Sequence, residues 1–504
     1  MAKRPGIQLF FLAFPISKAG YNHGAQCKDR MSGMMKSLKE PYVVGVASRI
    51  LGQVISFIAV AIASRYLELE IFGTYALAWA GAVIGNTFVF TGFYQALLRT
   101  RDFDRDRDTI FWLNTGVGAL SSITIALFGL LAGGIGTAQG AALIAIAPIP
   151  FLITPAAWWE AQLVREKRVR SASLYVLAAE ACALVVTIVM LRQGYGIAAL
   201  IAPRYVSVVV GMVLTGGLVR RLPKLGLRRD TTAEAAKTAV PLWGTSIVHN
   251  FQNYGTDIIL GAFAPAAMVG AYRGGARIAI TASDLVLQPL GILTWSRFTR
   301  IEKEEDGIDA LRTAWIENMA IAAAILWPLS ATVALLAEPL VVTVLDETWL
   351  PAAGVVVILT ISRAILFLAG LLEPTLMTTG HGRTQFYIRL LGAGSLLLLL
   401  IVFARLGAEP ASWAHLASSV LVAIVGLHAM TKVLTLSLAD FLRTFTPSLV
   451  LTAATTAVIL TTATPLAALG AVTGLVLCLA AVGLAWLVLM AVFVQRRALV
   501  LPSP

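Results

Sequence analysis

Long apolar stretches recur along almost the whole chain, from Val43 nearly to the C-terminus. Each has roughly 17–25 residues, the length that an α-helix needs to cross about 30 Å of hydrocarbon. The pattern predicts an all-α polytopic membrane protein with about fourteen transmembrane helices. The predicted spans are 43–66, 75–98, 110–133, 138–160, 172–191, 197–219, 239–263, 269–295, 314–337, 352–379, 384–405, 412–436, 445–464 and 468–494.

A short motif occurs twice, each time where two predicted spans meet. RYLELEIFGTYALA contains Gly73 and Tyr75, and AFAPAAMVGAYRGGA contains Gly270 and Tyr272, at a separation of 197 residues. Many transporters are built from internal repeats of this kind. The repeat predicts two pseudo-symmetric six-helix lobes plus two C-terminal helices. The chain then divides into a cytoplasmic leader (1–42), an N-lobe (43–219), a basic cytoplasmic inter-lobe loop (220–238), a C-lobe (239–436) and the last two spans with a short tail (437–504).

Polar residues form one stripe on each of the predicted spans seven and eight. At 100° per residue, the members of each stripe cluster within about 140° and about 80° respectively. Because a charge near the bilayer centre costs roughly 2.5–3.5 kcal/mol, such residues normally face a bundle interior. The two stripes predict one shared hydrophilic interior. The stripes comprise Thr245, Ser246, His249, Gln252, Asn253, Thr256 and Asp257, and then Arg273, Arg277, Thr281, Asp284 and Gln288.

Composition and charge support this interpretation. Of the 504 residues, 58% are hydrophobic and only 13% are charged, well below the charge of an ordinary soluble protein. The net charge of +12 does not indicate nucleic acid binding, because thirty of the thirty-nine Lys and Arg residues lie in the N-terminal tail and every second loop. The positive-inside rule then predicts a multi-pass membrane protein with both termini cytoplasmic.

All six cations inside predicted spans are arginines, which favours a phosphate ligand. Arginine stays charged when desolvated and binds phosphate oxygens with a planar fork. The alternative is an intramembrane ion pair with Asp257, Asp284, Glu180 or Glu373. Snorkelling to the interface explains Arg389 better than function does, and both interpretations stay open for Arg204 and Arg363.

Three further residues of the stripes are candidates for ion coupling. His249 changes its charge near neutral pH, and Asp257 or Asp284 could bind a proton or a cation. The alternative is that they only form hydrogen bonds across the bundle.

The sequence lacks the usual signs of an enzyme. It has no G-x-x-x-x-G-K-[ST] phosphate loop, and no outer loop exceeds about fifteen residues. Cys27, Cys182 and Cys478 are isolated, so neither a disulfide, a metal nor a cofactor is predicted. The leader begins like a signal peptide but has no cleavage site, and Met31, Met34 and Met35 are alternative start codons to Met1.

The two motif copies and the hydropathy resemble those of the polysaccharide-repeat flippases of the multidrug/oligosaccharidyl-lipid/polysaccharide exporter superfamily. The resemblance implies two lobes around a cationic cavity and alternating access that moves an undecaprenyl-pyrophosphate-linked oligosaccharide. It assigns the pyrophosphate to Arg49, Arg273 and Arg277, and it places the protein in the bacterial inner membrane. Gln53, on the same face as Arg49, and Asn253, in the stripe of span seven, are further candidates for binding the pyrophosphate or the glycan. It also implies contact with membrane lipids, a polysaccharide polymerase and a chain-length regulator as expected partners, and no nucleic acid.

Two alternatives remain. A cation-coupled multidrug exporter of the same superfamily should prefer an acidic cavity, which the arginines disfavour. A membrane glycan polymerase or ligase should have a larger catalytic loop, which the short outer loops disfavour.

Overall fold

The computed structural model describes residues 41–301, 307–496 and 498–499, and within them the chain forms nineteen α-helices and no strand. The predictions for the leader up to residue 40, including the start codon and Cys27, lie outside the described residues. The helices are α1 Pro41–Ala63, α2 Leu69–Phe90, α3 Gly92–Arg99, α4 Phe103–Leu131, α5 Ala138–Ile146, α6 Ile149–Leu152, α7 Thr154–Arg165, α8 Val169–Arg192, α9 Ala198–Val219, α10 Arg229–Phe263, α11 Ala266–Ile301, α12 Gly307–Leu335, α13 Ala337–Val344, α14 Ala353–Leu366, α15 Leu372–Thr378, α16 Gly382–Phe403, α17 Ala408–Val433, α18 Leu438–Ala467 and α19 Ala471–Gln495.

Eleven helical segments of the described part are long and apolar enough to cross a membrane. The helices α10 and α11 are not among them, and α1 contributes only the shorter apolar helix Leu51–Ala63. The helices α10 and α11 carry the two polar stripes, which lower their average hydropathy although one face of each stays apolar. The all-α polytopic membrane fold is confirmed, and the number fourteen stays a prediction.

Proline divides two of the predicted spans into shorter helices. The fourth predicted span is broken around Pro148 and Pro150 into α5, α6 and α7. The tenth is broken before Pro374 into α14 and α15, with a 3-10 turn between them. Proline lacks the N–H that an uninterrupted helix needs, and it fits the first turn of the next helix well.

Two segments predicted as loops are partly helical. The helix α10 begins at Arg229, ten residues before the predicted span, because Ala235 and Ala239 bury an apolar face against the cluster around Phe93 and Trp158. The predicted outer loop 338–351 contains most of α13 and a 3-10 turn. Residues 220–228, which form no helix, connect the two predicted lobes.

The helices α2 and α11 form the main contact between the two predicted lobes. The helix α10 packs on α2 and α3 along its first part and reaches α16 and α17. The last two helices pack against the C-lobe. The helix α18 lies along α12, and Trp486 of α19 donates a hydrogen bond to the Ala324 carbonyl at 2.8 Å. The polar stripes of α10 and α11 therefore lie in the middle of the bundle.

Candidate functional site

The two copies of the glycine-tyrosine motif meet where α2 crosses α11. A Cβ at Gly73 would overlap the Ala266 carbonyl, and a Cβ at Gly270 would overlap the Leu69 carbonyl. Small residues allow such close approach of two backbones in membrane helix pairs. The crossing closes the bundle at the end that the charge distribution predicts to be periplasmic, called the outer end below.

Three hydrogen bonds reinforce the closed outer end. The Trp349 indole donates to the Ser64 carbonyl at 3.0 Å, and the Ser64 hydroxyl donates to the Leu345 carbonyl at 2.9 Å. Arg65 donates to the Thr343 carbonyl at 2.7 Å. Because Trp349 and Ser64 are buried, water does not compete for the first two bonds, whereas the bond of Arg65 is exposed. The turn between α1 and α2 is thereby attached to the end of α13 and to the segment that follows it.

Arg273 lies one residue beyond the motif tyrosine of α11 and pairs with α10. Its Nη1 atom is 3.0 Å from Oδ2 of Asp257, a carboxylate with only 1% of its side chain exposed. Its guanidinium carbon lies 4.6 Å from the centre of the Tyr254 ring. The cation is thus compensated by a charge and by an aromatic face, as an intramembrane ion pair requires.

Arg277, one helical turn further along α11, has a different environment. Its Nη2 atom lies 3.5 Å from the backbone carbonyl of Gln53 in α1. Its Nε atom is buried without a hydrogen-bond partner, and none of the described carboxylates forms an ion pair with it. An uncompensated cation inside a membrane bundle is costly, and the binding role of Arg277 stays a prediction.

The second carboxylate of the region, Asp284, is paired with an arginine from another helix. Arg363 of α14 approaches Oδ1 of Asp284 to 2.5 Å and also contacts the Ser283 hydroxyl. Gln288 donates to the second oxygen of Asp284 at 3.2 Å. Asp284 is therefore neutralised by Arg363, which leaves Arg277 without the partner that the ion-pair alternative requires.

The tyrosines of the two motif copies each contact a basic residue of the last helix of their own lobe. Arg204 donates from Nε to the Tyr75 hydroxyl at 2.9 Å and lies 4.5 Å from the centre of the Trp79 ring. The Tyr272 hydroxyl lies 2.9 Å from Nε2 of His415. The sequence left Arg204 undecided, and the structure places it in a hydrogen bond with the motif tyrosine of the N-lobe.

The remaining predicted residues are placed as follows. Gln53 meets Arg277 through its backbone carbonyl, and Asn253 lines a cavity in the C-lobe residues. The side chains of Arg49 and His249 lie outside the described part of the structure. The binding and ion-coupling roles of all these residues stay predictions.

Three residues of this region were missed by sequence reasoning or left undecided. Tyr254 belongs to the polar face of α10, but an aromatic ring within an apolar span carries no distinctive signal. His415 is a titratable residue inside a span, which is a usable signal on its own. Arg363 could be assigned only once its contact with Asp284 was known, because the two residues are 79 positions apart.

A cavity of about 420 Å³ opens beside this region. It lies between the second half of α10 and helices α11, α14, α15, α16 and α17. Arg273, Arg363 and Arg389 contribute charge to its wall, and Ser362 and Gln385 contribute uncharged polar groups. Arg277 is not among its lining residues, although Arg273 is one turn away on the same helix.

Comparison with known proteins agrees with the predicted family. Residues 62–354 match the family model described as polysaccharide biosynthesis protein. The chain is also similar to the succinoglycan biosynthesis transport protein ExoT of Rhizobium meliloti (strain 1021). The two are 23% identical over 348 residues, which cover 67% of this chain and 69% of that protein.

Solved structures show the same fold. The lipid II flippase MurJ in an inward closed conformation matches with a TM-score of 0.73 at 13% identity, covering 90% of this chain and 99% of that one. An inward-facing MATE family transporter of the MOP superfamily matches with a TM-score of 0.58 at 15% identity, covering 76% and 94%. The family model spans more than half of the chain, and the chain therefore belongs to the polysaccharide biosynthesis protein family.

Proposed function

We propose that this protein is a flippase that moves an undecaprenyl-pyrophosphate-linked oligosaccharide across the inner membrane by alternating access, for exopolysaccharide or lipopolysaccharide synthesis. Membership of the family and similarity to a protein named as a succinoglycan transport protein support this proposal. The similar proteins are transporters, so catalysis is not part of the proposal.

The observation that carries the proposal is Arg277. It is a partly buried arginine between α11 and α1 whose buried Nε has no partner, while Arg273 and Arg363 nearby are already paired with carboxylates. A pyrophosphate supplies the missing acceptor, because its oxygens accept the parallel N–H groups of one guanidinium. The lipid tail then remains in the bilayer while the head group occupies the interior.

Alternating access requires an outer end that can close and open. The Gly73–Gly270 crossing and the bonds of Trp349 describe its closed form. All these contacts lie at the outer end of the bundle. Separating the lobes at this end would therefore expose the interior to the periplasm.

The proposed location is the inner membrane, with both termini cytoplasmic. The segment 220–228 between the lobes is suited to contact lipids of the inner leaflet. Its leucines Leu222, Leu225 and Leu227 are exposed and lie between basic residues. A polysaccharide polymerase and a chain-length regulator are the expected partners of the exported unit.

A cation-coupled drug exporter is the second candidate, since the MATE transporter shares the fold. Its cationic drugs would be repelled by Arg277, which has no compensating carboxylate among the described residues. Drug susceptibility of a deletion strain separates the two candidates, because only the exporter alternative predicts hypersensitivity to cationic drugs. A membrane glycan polymerase or ligase is a weaker third candidate.

Glycan export in a flippase-null strain, normalised to inserted protein, tests the proposal. Arg277→Ala should reduce export by about 10- to 100-fold, since a hydrogen bond to a charged group contributes about 1.5–3 kcal/mol. Arg277→Lys should restore export only in part, because lysine lacks the planar fork. Arg405→Ala is the matched control, since Arg405 lies over Phe263 near the outer end. Full export by Arg277→Ala would overturn the proposed role of this residue.

A further inference from the structure

The cavity beside Arg273 has polar groups that the pyrophosphate does not use. Its volume of about 420 Å³ is within the range of small-molecule sites, roughly 300–1,000 Å³. Resting on the proposed function, we propose that this cavity binds an uncharged sugar residue of the translocated oligosaccharide, while the pyrophosphate binds at Arg277.

The charges of the cavity are balanced. Arg273 pairs with Asp257 at 3.0 Å, Arg363 with Asp284 at 2.5 Å and Arg389 with Glu373 at 2.8 Å. An anion would have to displace a carboxylate from one of these arginines, and a cation would have to displace an arginine. Because both exchanges lose an existing pair, the cavity favours an uncharged polar ligand.

Hydroxyl and amide groups provide the specificity of the cavity. Ser362 and Ser419 lie 2.8 Å apart, and either hydroxyl can donate to the other. Ser418 donates to the Gly392 carbonyl, and Gln385 has a buried carbonyl oxygen without a partner. A hydroxyl can donate and accept at once, so a sugar ring with several hydroxyls satisfies such a wall better than a ligand with only donors or only acceptors.

Apolar residues form the rest of the wall. Phe367 and Leu359 are buried, and Ile280 and Val422 also line the cavity. A mostly apolar wall with a few placed polar groups is typical of specific ligand sites. It also suits a sugar ring, whose faces carry C–H groups and whose edge carries hydroxyls.

The position of the cavity fits a ligand attached to pyrophosphate. Arg273 lines it, and Arg277 lies one turn further along the same helix, about 6 Å away by the rise of an α-helix. The first sugar of a lipid-linked oligosaccharide is bonded directly to the pyrophosphate. The two groups can therefore occupy neighbouring sites at the same time.

The test measures binding of two probes to the full-length protein in nanodiscs. One probe is undecaprenyl pyrophosphate, and the other is the same lipid carrying a neutral hexose disaccharide. The wild type should bind the glycosylated lipid at least about tenfold more tightly, a difference of about 1.4 kcal/mol. Gln385→Leu and the Ser362→Ala/Ser419→Ala pair should lose most of this gain and keep the affinity for the bare lipid.

Two controls make the outcome specific. Ser412→Ala is the matched control, because Ser412 is buried on the same helix as Ser419 but donates only to the Ala408 carbonyl. Unchanged affinity for the bare lipid shows that the cavity variants are folded. Equal affinity of the wild type for both probes, or the full glycan-dependent gain in the cavity variants, would overturn the sugar site alone. Failure of the wild type to bind either probe would instead overturn the proposed function and the sugar site with it.

Discussion

The two copies of the glycine-tyrosine motif share one backbone arrangement and differ one residue later. After Tyr75, α2 continues with Ala76 and Ala80, which are both buried in helix packing. At the corresponding positions after Tyr272, α11 carries Arg273 and Arg277. The glycines that make the close crossing occur in both copies, whereas the charges occur in one. The close crossing therefore uses both copies of the motif, whereas the charged positions after the tyrosine occur only in the second copy.

The two arginines of α11 also differ from each other in how their charges are compensated. Arg273 has an ion pair and an aromatic partner, and Arg277 has one backbone carbonyl. Residues one turn apart on one helix thus combine a compensated charge with an uncompensated one. We propose that Arg273 stabilises the bundle as well as lining the cavity, and that Arg277 binds the ligand.

Removing Asp257 should have the largest effect on the inserted protein. Asp257→Ala leaves Arg273 unpaired in the interior, and breaking one side of a buried ion pair costs about 3–5 kcal/mol. The expected result is a strong loss of folded protein, measured by its thermal unfolding in detergent and by its level in the membrane.

The double variant Asp257→Leu/Arg273→Met separates stability from function. It removes both charges, so the protein level should recover. Recovery of the level without recovery of export would assign Arg273 a direct role with the substrate. Recovery of both would restrict Arg273 to the stability of the bundle.

Substitution of the crossing glycines should have the next largest effect. Gly270→Val and Gly73→Val each place side-chain atoms against a backbone carbonyl of the facing helix, so the outer end cannot close. Overpacking of this kind costs roughly 1–3 kcal/mol. Both variants should reduce export, and a cysteine introduced at the buried Ser64 should react faster with a membrane-impermeant thiol reagent.

Gly394→Val is the control for this comparison, because a Cβ at Gly394 meets nothing within 4 Å. The symmetric role of the crossing predicts similar effects at Gly73 and Gly270. A strong effect at only one of them would show that the two copies do not act as one closing element.

Much of the fold could be predicted from the sequence, since length and apolarity determine which segments become membrane helices. The breaks at Pro148 and Pro374 follow from proline chemistry, but the early start of α10 depends on its packing against Phe93 and Trp158. The pattern of α11 placed Arg273, Arg277 and Asp284 on one face. It could not show which carboxylate each arginine contacts, because those partners lie on other helices and are set by tertiary packing.

The smallest predicted effect compares the two motif tyrosines. The Tyr75 hydroxyl accepts a bond from Arg204, whose guanidinium also lies over Trp79 and 3.7 Å from Glu180. The Tyr272 hydroxyl shares Nε2 of His415 with the Thr256 hydroxyl, which lies 2.8 Å from that atom. Hydrogen bonds between membrane helices contribute about 0.6 kcal/mol on average and up to about 1.7 kcal/mol.

Tyr75→Phe should lose stability near the upper end of this range, because it removes the hydroxyl that accepts a hydrogen bond from the charged Arg204 guanidinium. Tyr272→Phe should be near the lower end, because Thr256 still bonds His415 after the change. The measurement is the unfolding midpoint of each variant in the same detergent, with Tyr195→Phe, an exposed tyrosine after α8, as the control. A larger loss at Tyr272 than at Tyr75 would show that the hydrogen bonds of the C-lobe copy, rather than those of the N-lobe copy, hold the two helix pairs in place.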